Sequence, residues 1–118
     1  MWKVYAYAGC DTCRKALRFF TERGIRHTVV PIREQPPTRP ELRRMLKHCG
    51  GEIRRLFNTS GQDYRAMGLG QKLPDLPEAE ALELLAGNGN LVKRPFVLTP
   101  NGGTVGFRPA DWEQLAAG

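Results

Sequence analysis

The sequence has only two histidines and three cysteines, and none of its apolar runs approaches the roughly 20 residues that a membrane-spanning helix requires. The cysteine number is odd and two cysteines, Cys10 and Cys13, lie three positions apart, which is not the pattern of a disulfide-stabilised secreted domain. The first residues, 1–7, are too few and too polar for a signal peptide. We therefore expect a cytoplasmic protein with no membrane partner.

The chain has fewer acidic than basic residues. The chain has 18 basic and 12 acidic residues, a net charge of +6, and 13 of the basic residues are arginine. Guanidinium groups suit anionic partners such as a small oxyanion, glutathione or an acidic protein surface. The arginines are spread along the chain without the interleaved aromatic residues of a single-strand binder, so we expect no direct nucleic-acid binding.

The first third of the chain predicts a strand–helix–strand unit. Alternating aromatic and β-branched residues predict a strand over 2–7, and apolar residues at helical spacing predict an amphipathic helix over 13–23 that ends at Gly24. A second strand is predicted over 27–32. A connection this short is typical of a βαβ unit with two parallel strands.

The rest of the chain predicts a helical insertion over 35–90 and then a ββα unit. The predicted elements are helices over 40–48, 52–57 and 77–86, strands over 96–99 and 104–107, and a closing helix over 109–117. The expected fold is therefore α/β, with a mixed four-stranded sheet in a single domain over residues 1–118.

Cys10 stands where the first strand gives way to the first helix, with Asp11 or Thr12 as the predicted helix cap. The first-turn N–H groups and the positive end of the helix dipole favour a thiolate at this place. Cys13 lies one turn further on, close enough to form a disulfide with an oxidised Cys10. We therefore predict that Cys10 is the nucleophile and Cys13 the resolving thiol.

The alternative interpretation of the cysteine pair is a zinc site. Zinc would need two further ligands, and the available soft ones are His27, His48 and Cys49. His48 and Cys49 are adjacent, which is poor spacing for two ligands at a helix end. We expect no bound metal.

Four segments, in the same order, resemble the arsenate reductase/Spx family over nearly the whole chain. They are 7–16 (YAGCDTCRKA), 56–65 (LFNTSGQDYR), 91–99 (LVKRPFVLT) and 105–109 (VGFRP). The resemblance implies a thioredoxin-like fold with a helical insertion. It also makes Pro95, which follows Arg94, a candidate cis-proline opposite the cysteine motif; from the dipeptide alone, an ordinary trans proline at a strand start is the alternative.

The resemblance also implies a chemistry. In the family's arsenate reductases the cysteine that matches Cys10 attacks arsenate, glutathione and glutaredoxin resolve the adduct, and arginines matching Arg94 and Arg108 hold the oxyanion. Asn58 and Ser60 are further candidates for this pocket, with loop packing as the alternative explanation. The reductant would be a diffusible thiol, with glutaredoxin or thioredoxin as protein partner, so no bound cofactor is expected.

Two departures from the family pattern leave alternatives open. A third family arginine falls in the stretch 56–60, where this chain has none, and Arg54 or Arg55 is the candidate replacement. Cys13 stands where single-cysteine reductases carry serine, whereas Spx-type regulators use such a pair as a redox switch and bind the RNA polymerase α subunit.

The Asn-Thr-Ser-Gly block at 58–61 is similar instead to an arsenate-reductase-like branch with a suggested glutathione-dependent thiol reductase activity. Our leading hypothesis is accordingly a thiol-dependent reductase of arsenate or of another anionic or disulfide substrate. A redox-sensing transcriptional regulator is the alternative.

Overall fold

The computed structural model describes residues 1–106 and 108–117 and contains a mixed four-stranded sheet in the order β2-β1-β3-β4. The strands are β1 (Trp2–Ala6), β2 (His27–Pro31), β3 (Phe96–Leu98) and β4 (Gly103–Val105). β1 and β2 are parallel, while β3 is antiparallel to both β1 and β4. This topology confirms the predicted α/β thioredoxin-like fold with its βαβ and ββα halves.

The helices follow the predicted order. They are α1 (Asp11–Arg23), α2 (Arg39–His48), α3 (Gln62–Ala66), α4 (Leu69–Lys72), α5 (Glu78–Gly87) and α6 (Pro109–Ala117), with 3-10 turns at Ile53–Leu56, Leu73–Asp75 and Gly89–Leu91. Between β2 and β3 the described chain is built of helices and turns, as predicted. Within the described ranges, no helix is long and apolar enough to cross a membrane.

Several boundaries differ by one or two residues from the prediction, and three of them have a direct structural reason or consequence. Helix α2 begins one residue early because Thr38 caps it reciprocally with Glu41. Helix α1 begins at Asp11, since its cap is Cys10 and not the predicted Asp11 or Thr12. Strand β4 begins at Gly103, and Phe107, the predicted end of this strand, lies outside the described residues.

Strand β1 is packed on both faces of the sheet, since its successive residues belong to two different cores. Val4 and Ala6 pack with Phe20 of α1 and Trp112 of α6. Tyr5, between them, packs in the larger core under the helical insertion. Because helices cover the faces of β1, a ligand can reach it only at its end. In folds of this kind, ligands bind in the loops that follow the carboxyl ends of the parallel strands.

Candidate active site

Cys10 lies in the turn between β1 and α1 and is itself the N-cap of α1. Its Sγ accepts a hydrogen bond from the backbone N–H of Cys13 at 3.4 Å, and its own N–H donates to the Tyr7 carbonyl at 3.0 Å. This corrects the predicted cap at Asp11 or Thr12. The sulfur is half-buried and accepts a first-turn N–H at the N-terminal end of a 13-residue helix.

Cys13 has the opposite environment. Its side chain is 1% exposed in the core between α1 and the sheet, and its Sγ accepts the Tyr7 N–H at 3.5 Å. Burial, with a smaller contribution from neighbouring Cys10, raises the pKa of Cys13 to about 12, although the Tyr7 hydrogen bond and the charge of Arg94 oppose this rise. At neutral pH Cys13 is therefore a protected, uncharged thiol beside the accessible Cys10.

The peptide bond between Arg94 and Pro95 is cis, as the resemblance implied. Pairing of Phe96 with Tyr5 places this bond at the same end of the sheet as the Cys10 turn. The Pro95 carbonyl accepts the backbone N–H of Gly106 at 2.9 Å, which ties the end of β4 to the same region.

Arg94 lies beside the cysteine pair. Its guanidinium carbon is 5.5 Å from the centroid of the Tyr7 ring, and its Nη2 donates to the Asn90 carbonyl at 3.4 Å. Its positive charge also acts on the Cys13 thiol. Arg94 is thus positioned to attract an anion to this edge of the sheet.

Arg108 directly precedes α6. Its side chain is 69% exposed, and its Nε lies 3.6 Å from the Asp111 carboxylate. Together with Arg55 it lines two adjacent clefts, of which the one of about 320 Å³ also contains Lys93 and Thr59. No hydrogen bond or ion pair of the described residues joins Arg108 to Arg94 or Cys10. Its binding of an oxyanion therefore stays a prediction.

Of the two candidate replacements for the family's third arginine, Arg55 is the better placed. It lines both clefts with Arg108, whereas Arg54 lines only the second and otherwise faces a pocket of the insertion. Arg55 is also the half-buried one of the two. Sequence spacing could not separate them because both lie in one turn, whose orientation depends on how the insertion packs.

Asn58 and Ser60 lie in the loop that precedes α3. The Asn58 N–H donates to the Leu91 carbonyl at 2.7 Å, and its side chain packs against Gly61 of the same loop. The Ser60 side chain is exposed. In the part of the chain that the structure describes, neither makes a hydrogen bond to the cysteines or to Arg94. Both remain candidates, and loop packing accounts for Asn58 as it stands.

Sequence reasoning missed two residues at this edge, Tyr7 and Arg33. The Tyr7 ring is 36% exposed, and the guanidinium carbon of Arg33 lies 4.8 Å from its centroid. Arg33 follows β2, and the carboxyl ends of parallel strands meet at one edge of a sheet, which is where ligands bind in such folds. That rule, applied to the predicted βαβ unit, was the signal that could have found it.

The cysteines are divided between the two cores, since Cys49 is buried under the insertion while Cys10 and Cys13 belong to the α1 face. Burial raises the pKa of Cys49 as well. Over residues 1–106 and 108–117, no group of three or more His, Cys, Asp or Glu side chains could hold a metal ion.

Comparison with known proteins places this geometry in a family. The ArsC family model matches residues 5–115. Uncharacterized protein YusI of Bacillus subtilis (strain 168) is 41% identical over 110 residues, which are 93% of either chain. An arsenate reductase of Rhizobium meliloti (strain 1021) is 32% identical over 84% of this chain and 69% of its own.

Two further relatives bear on fold and function. A crystal structure from Bacteroides fragilis, of a protein described as related to the ArsC family, superposes with a TM-score of 0.91 at 40% identity, covering 97% of this chain and 96% of that one. The regulatory protein MgsR of Bacillus subtilis is 25% identical over 95% of this chain and 87% of its own. With its fold, its cysteine turn and a family match over nearly its whole length, the chain belongs to the ArsC family.

Proposed function

We propose that the protein is a thiol-dependent oxidoreductase in which Cys10 is the nucleophile and Cys13 the resolving thiol. The observation that carries this proposal is the unequal environment of the two sulfurs. Cys10 is half-buried and caps a helix, whereas Cys13 is buried and has a pKa raised to about 12 by that burial. One turn of helix separates them, so the Cys13 thiol lies within reach of an adduct formed on Cys10.

A disulfide substrate would be reduced by two consecutive thiol–disulfide exchange steps. The Cys10 thiolate bonds to one substrate sulfur, the S–S bond breaks, and the first thiolate leaves and takes a proton from water. Cys13 then loses its proton and attacks the Cys10 sulfur, which releases the second thiolate and leaves a Cys10–Cys13 disulfide. Two glutathione molecules restore the dithiol and become glutathione disulfide.

Arsenate would be reduced by the same nucleophile, Cys10, and a second thiol. The Cys10 thiolate bonds to arsenic and one oxygen leaves as water; a second thiol, from Cys13 or glutathione, attacks the Cys10 sulfur. The electron pair of the broken S–As bond stays on arsenic, which leaves as arsenite. Arg94 beside the cysteines and the Arg108 cleft support an anionic substrate, and arsenate reductases among the relatives support arsenate as the first to test.

The reductant in this proposal is glutathione, with glutaredoxin or thioredoxin as protein partner in the cytoplasm. The test is turnover of arsenate and of a small disulfide, coupled to glutathione and glutaredoxin. Cys10→Ser should abolish turnover of both substrates. With a disulfide substrate and no added reductant, Cys13→Ser should accumulate a stoichiometric Cys10 mixed disulfide, detected by intact mass. Cys49→Ser is the matched control, since Cys49 lies in the other core. Undiminished turnover in Cys10→Ser would refute the proposal.

A second candidate function is a redox-sensing regulator that binds the RNA polymerase α subunit. Cys13 and the similarity to the regulatory protein MgsR favour it. The test is a pull-down with the α C-terminal domain, with and without oxidant. The regulator predicts binding that changes on oxidation and no longer changes in Cys13→Ser, whereas absence of binding in both redox states would exclude it.

A further inference from the structure

The exposed ring of Tyr7 holds two arginines beside the Cys10 turn. The guanidinium carbon of Arg33 is 4.8 Å from the ring centroid and that of Arg94 is 5.5 Å from it. Both distances lie within the range of a cation–π contact. Each side chain is thereby kept close to a residue three positions before Cys10.

Tyr7 is itself fixed with respect to both cysteines. Its carbonyl accepts the Cys10 N–H at 3.0 Å, and its N–H donates to the Cys13 sulfur at 3.5 Å. Its ring packs against Gly9 so closely that a Cβ there would lie 2.7 Å from a ring carbon. The Tyr7 backbone thus contacts both cysteines, and its ring lies over Gly9 of the same turn.

The strand order places the two arginines on opposite sides of the end of β1. β1 lies between β2 and β3, and Tyr7 directly follows β1. Arg33 comes two residues after the parallel strand β2, whose last residue pairs with Ala6, and Arg94 comes two residues before the antiparallel strand β3. The end of the strand that leads to the Cys10 turn is thus flanked by one cation from the segment after β2 and one from the segment before β3.

Neither guanidinium is neutralised. The ion pairs among the described residues use other arginines, namely Arg14, Arg23, Arg39 and Arg108. Arg33 is exposed and makes no hydrogen bond within the same part of the chain, and Arg94 donates only to a backbone carbonyl. Two unpaired guanidinium groups at one edge suit a ligand with two carboxylates, because each can be bound in a two-pronged manner.

We propose that Arg33 is a substrate-binding residue which, with Arg94, makes Cys10 selective for thiol and disulfide substrates that carry two carboxylates, the glutathione class. This inference rests on the proposed function and assigns the selectivity of the same site. In the step concerned, the Cys10 thiolate bonds to one sulfur of glutathione disulfide. The S–S bond breaks, and the leaving glutathione thiolate takes a proton from water.

The experiment compares a charged with a neutral disulfide. In a Cys13→Ser background, which traps the adduct, the rate of mixed-disulfide formation at Cys10 is measured by quenched-flow mass spectrometry with glutathione disulfide and with bis(2-hydroxyethyl) disulfide. Arg33→Gln should lower the ratio of the two rates about tenfold, the effect of losing one charge-assisted contact. Arg33→Lys should restore part of the ratio, and added salt should reduce the ratio of the parent protein.

Arg39→Gln is the matched control, since Arg39 is exposed but pairs with Glu83 on the insertion, and its ratio should equal that of the parent. The neutral disulfide reports any general damage to folding or to Cys10. An unchanged ratio in Arg33→Gln overturns the role of Arg33. Failure of Cys10 in the parent to react with either disulfide overturns the proposed function instead.

Discussion

The backbone N–H of Cys13 donates to the sulfur of Cys10 at 3.4 Å, so the residue that would resolve an adduct also supports the thiolate that forms it. The two sulfurs differ in their surroundings, because the Cys13 sulfur lies in the core and accepts a hydrogen bond from the Tyr7 N–H. Two cysteines on one helical turn thus have different access to solvent and different tasks. This asymmetry leads to two predictions about thiol reactivity.

Alkylation of the native protein at pH 7 should modify Cys10 first. Cys13 and Cys49 should react at least about tenfold more slowly, because burial raises the pKa of each and hides the sulfur. Peptide mapping after timed iodoacetamide treatment measures the three rates. In denaturant the three cysteines should react alike, which is the control; native Cys13 reacting as fast as Cys10 would contradict the proposed roles.

Resolution by Cys13 should be the step that depends on pH. Burial, the largest cause of the raised Cys13 pKa, persists when Cys10 carries an adduct, so the thiolate fraction of Cys13 still rises roughly tenfold for each pH unit between 7 and 9, well below that pKa. Release of the second leaving thiol from a preformed Cys10 adduct should therefore accelerate steeply with pH in single-turnover measurements. Cys13→Ser provides the baseline for attack by solvent and added thiols, and a flat profile over this range would argue against Cys13 as the resolving group.

The position of Cys10 could be predicted from the sequence, whereas its role as helix cap could not. Alternation over 2–7 followed by helical periodicity is enough to place the cysteine at a strand-to-helix junction. Which residue caps the helix depends on backbone angles at the junction, and Asp11 and Thr12 are the better caps by residue type. The extended conformation of Cys10, with φ −98° and ψ 122°, decides it.

Which residues surround Cys10 could be predicted even less well, because they are brought together by the tertiary structure. Arg33 and Arg94 are 61 positions apart in the sequence and meet at Tyr7 only because β1 lies between β2 and β3. The cis bond before Pro95 was expected from the resemblance alone, since the dipeptide by itself favours trans. The direction of the Arg108 side chain depends on how α6 starts, which residue spacing does not specify.

The carboxylate of Glu41 links the helical insertion to the sheet through hydrogen bonds. Glu41 of α2 accepts hydrogen bonds from the Tyr5 hydroxyl at 2.7 Å, the Lys3 ammonium at 2.9 Å and the Thr38 N–H at 2.9 Å. Burial alone would raise the pKa of Glu41, but these three bonds outweigh it and hold the pKa below its usual value. Because the folded pKa is the lower one, the stabilisation is complete above the unfolded value of about 4.3 and is lost as the pH falls through the folded pKa.

Glu41→Gln should therefore lower the free energy of unfolding by about 1–2 kcal/mol at pH 7. The difference from the parent should be smaller near pH 3, below the unfolded pKa of about 4.3, than at pH 7, because the stabilisation declines as the pH falls toward the folded pKa. Urea denaturation at the two pH values provides the measurement. Glu83→Gln is the control, since its ion pair with Arg39 is exposed and should contribute under about 0.5 kcal/mol. An equal loss at both pH values would show that packing, not charge, is responsible.

Gly89 allows the insertion to approach the strand end that leads to Arg33. A Cβ at this position would lie 1.8 Å from the Ile32 carbonyl oxygen and 3.0 Å from the Arg33 Cα, so the backbone must move to accept one. Gly89→Ala should destabilise the protein by at least about 2 kcal/mol, the cost of overpacking against backbone. Gly87→Ala, two residues away with nothing within 4 Å of its Cβ, should be neutral or slightly stabilising. Thermal and urea unfolding of Gly89→Ala and Gly87→Ala measure this difference in stability. Equal stability of the two variants would mean that the close contact between Gly89 and Ile32 is not needed to hold the insertion in place.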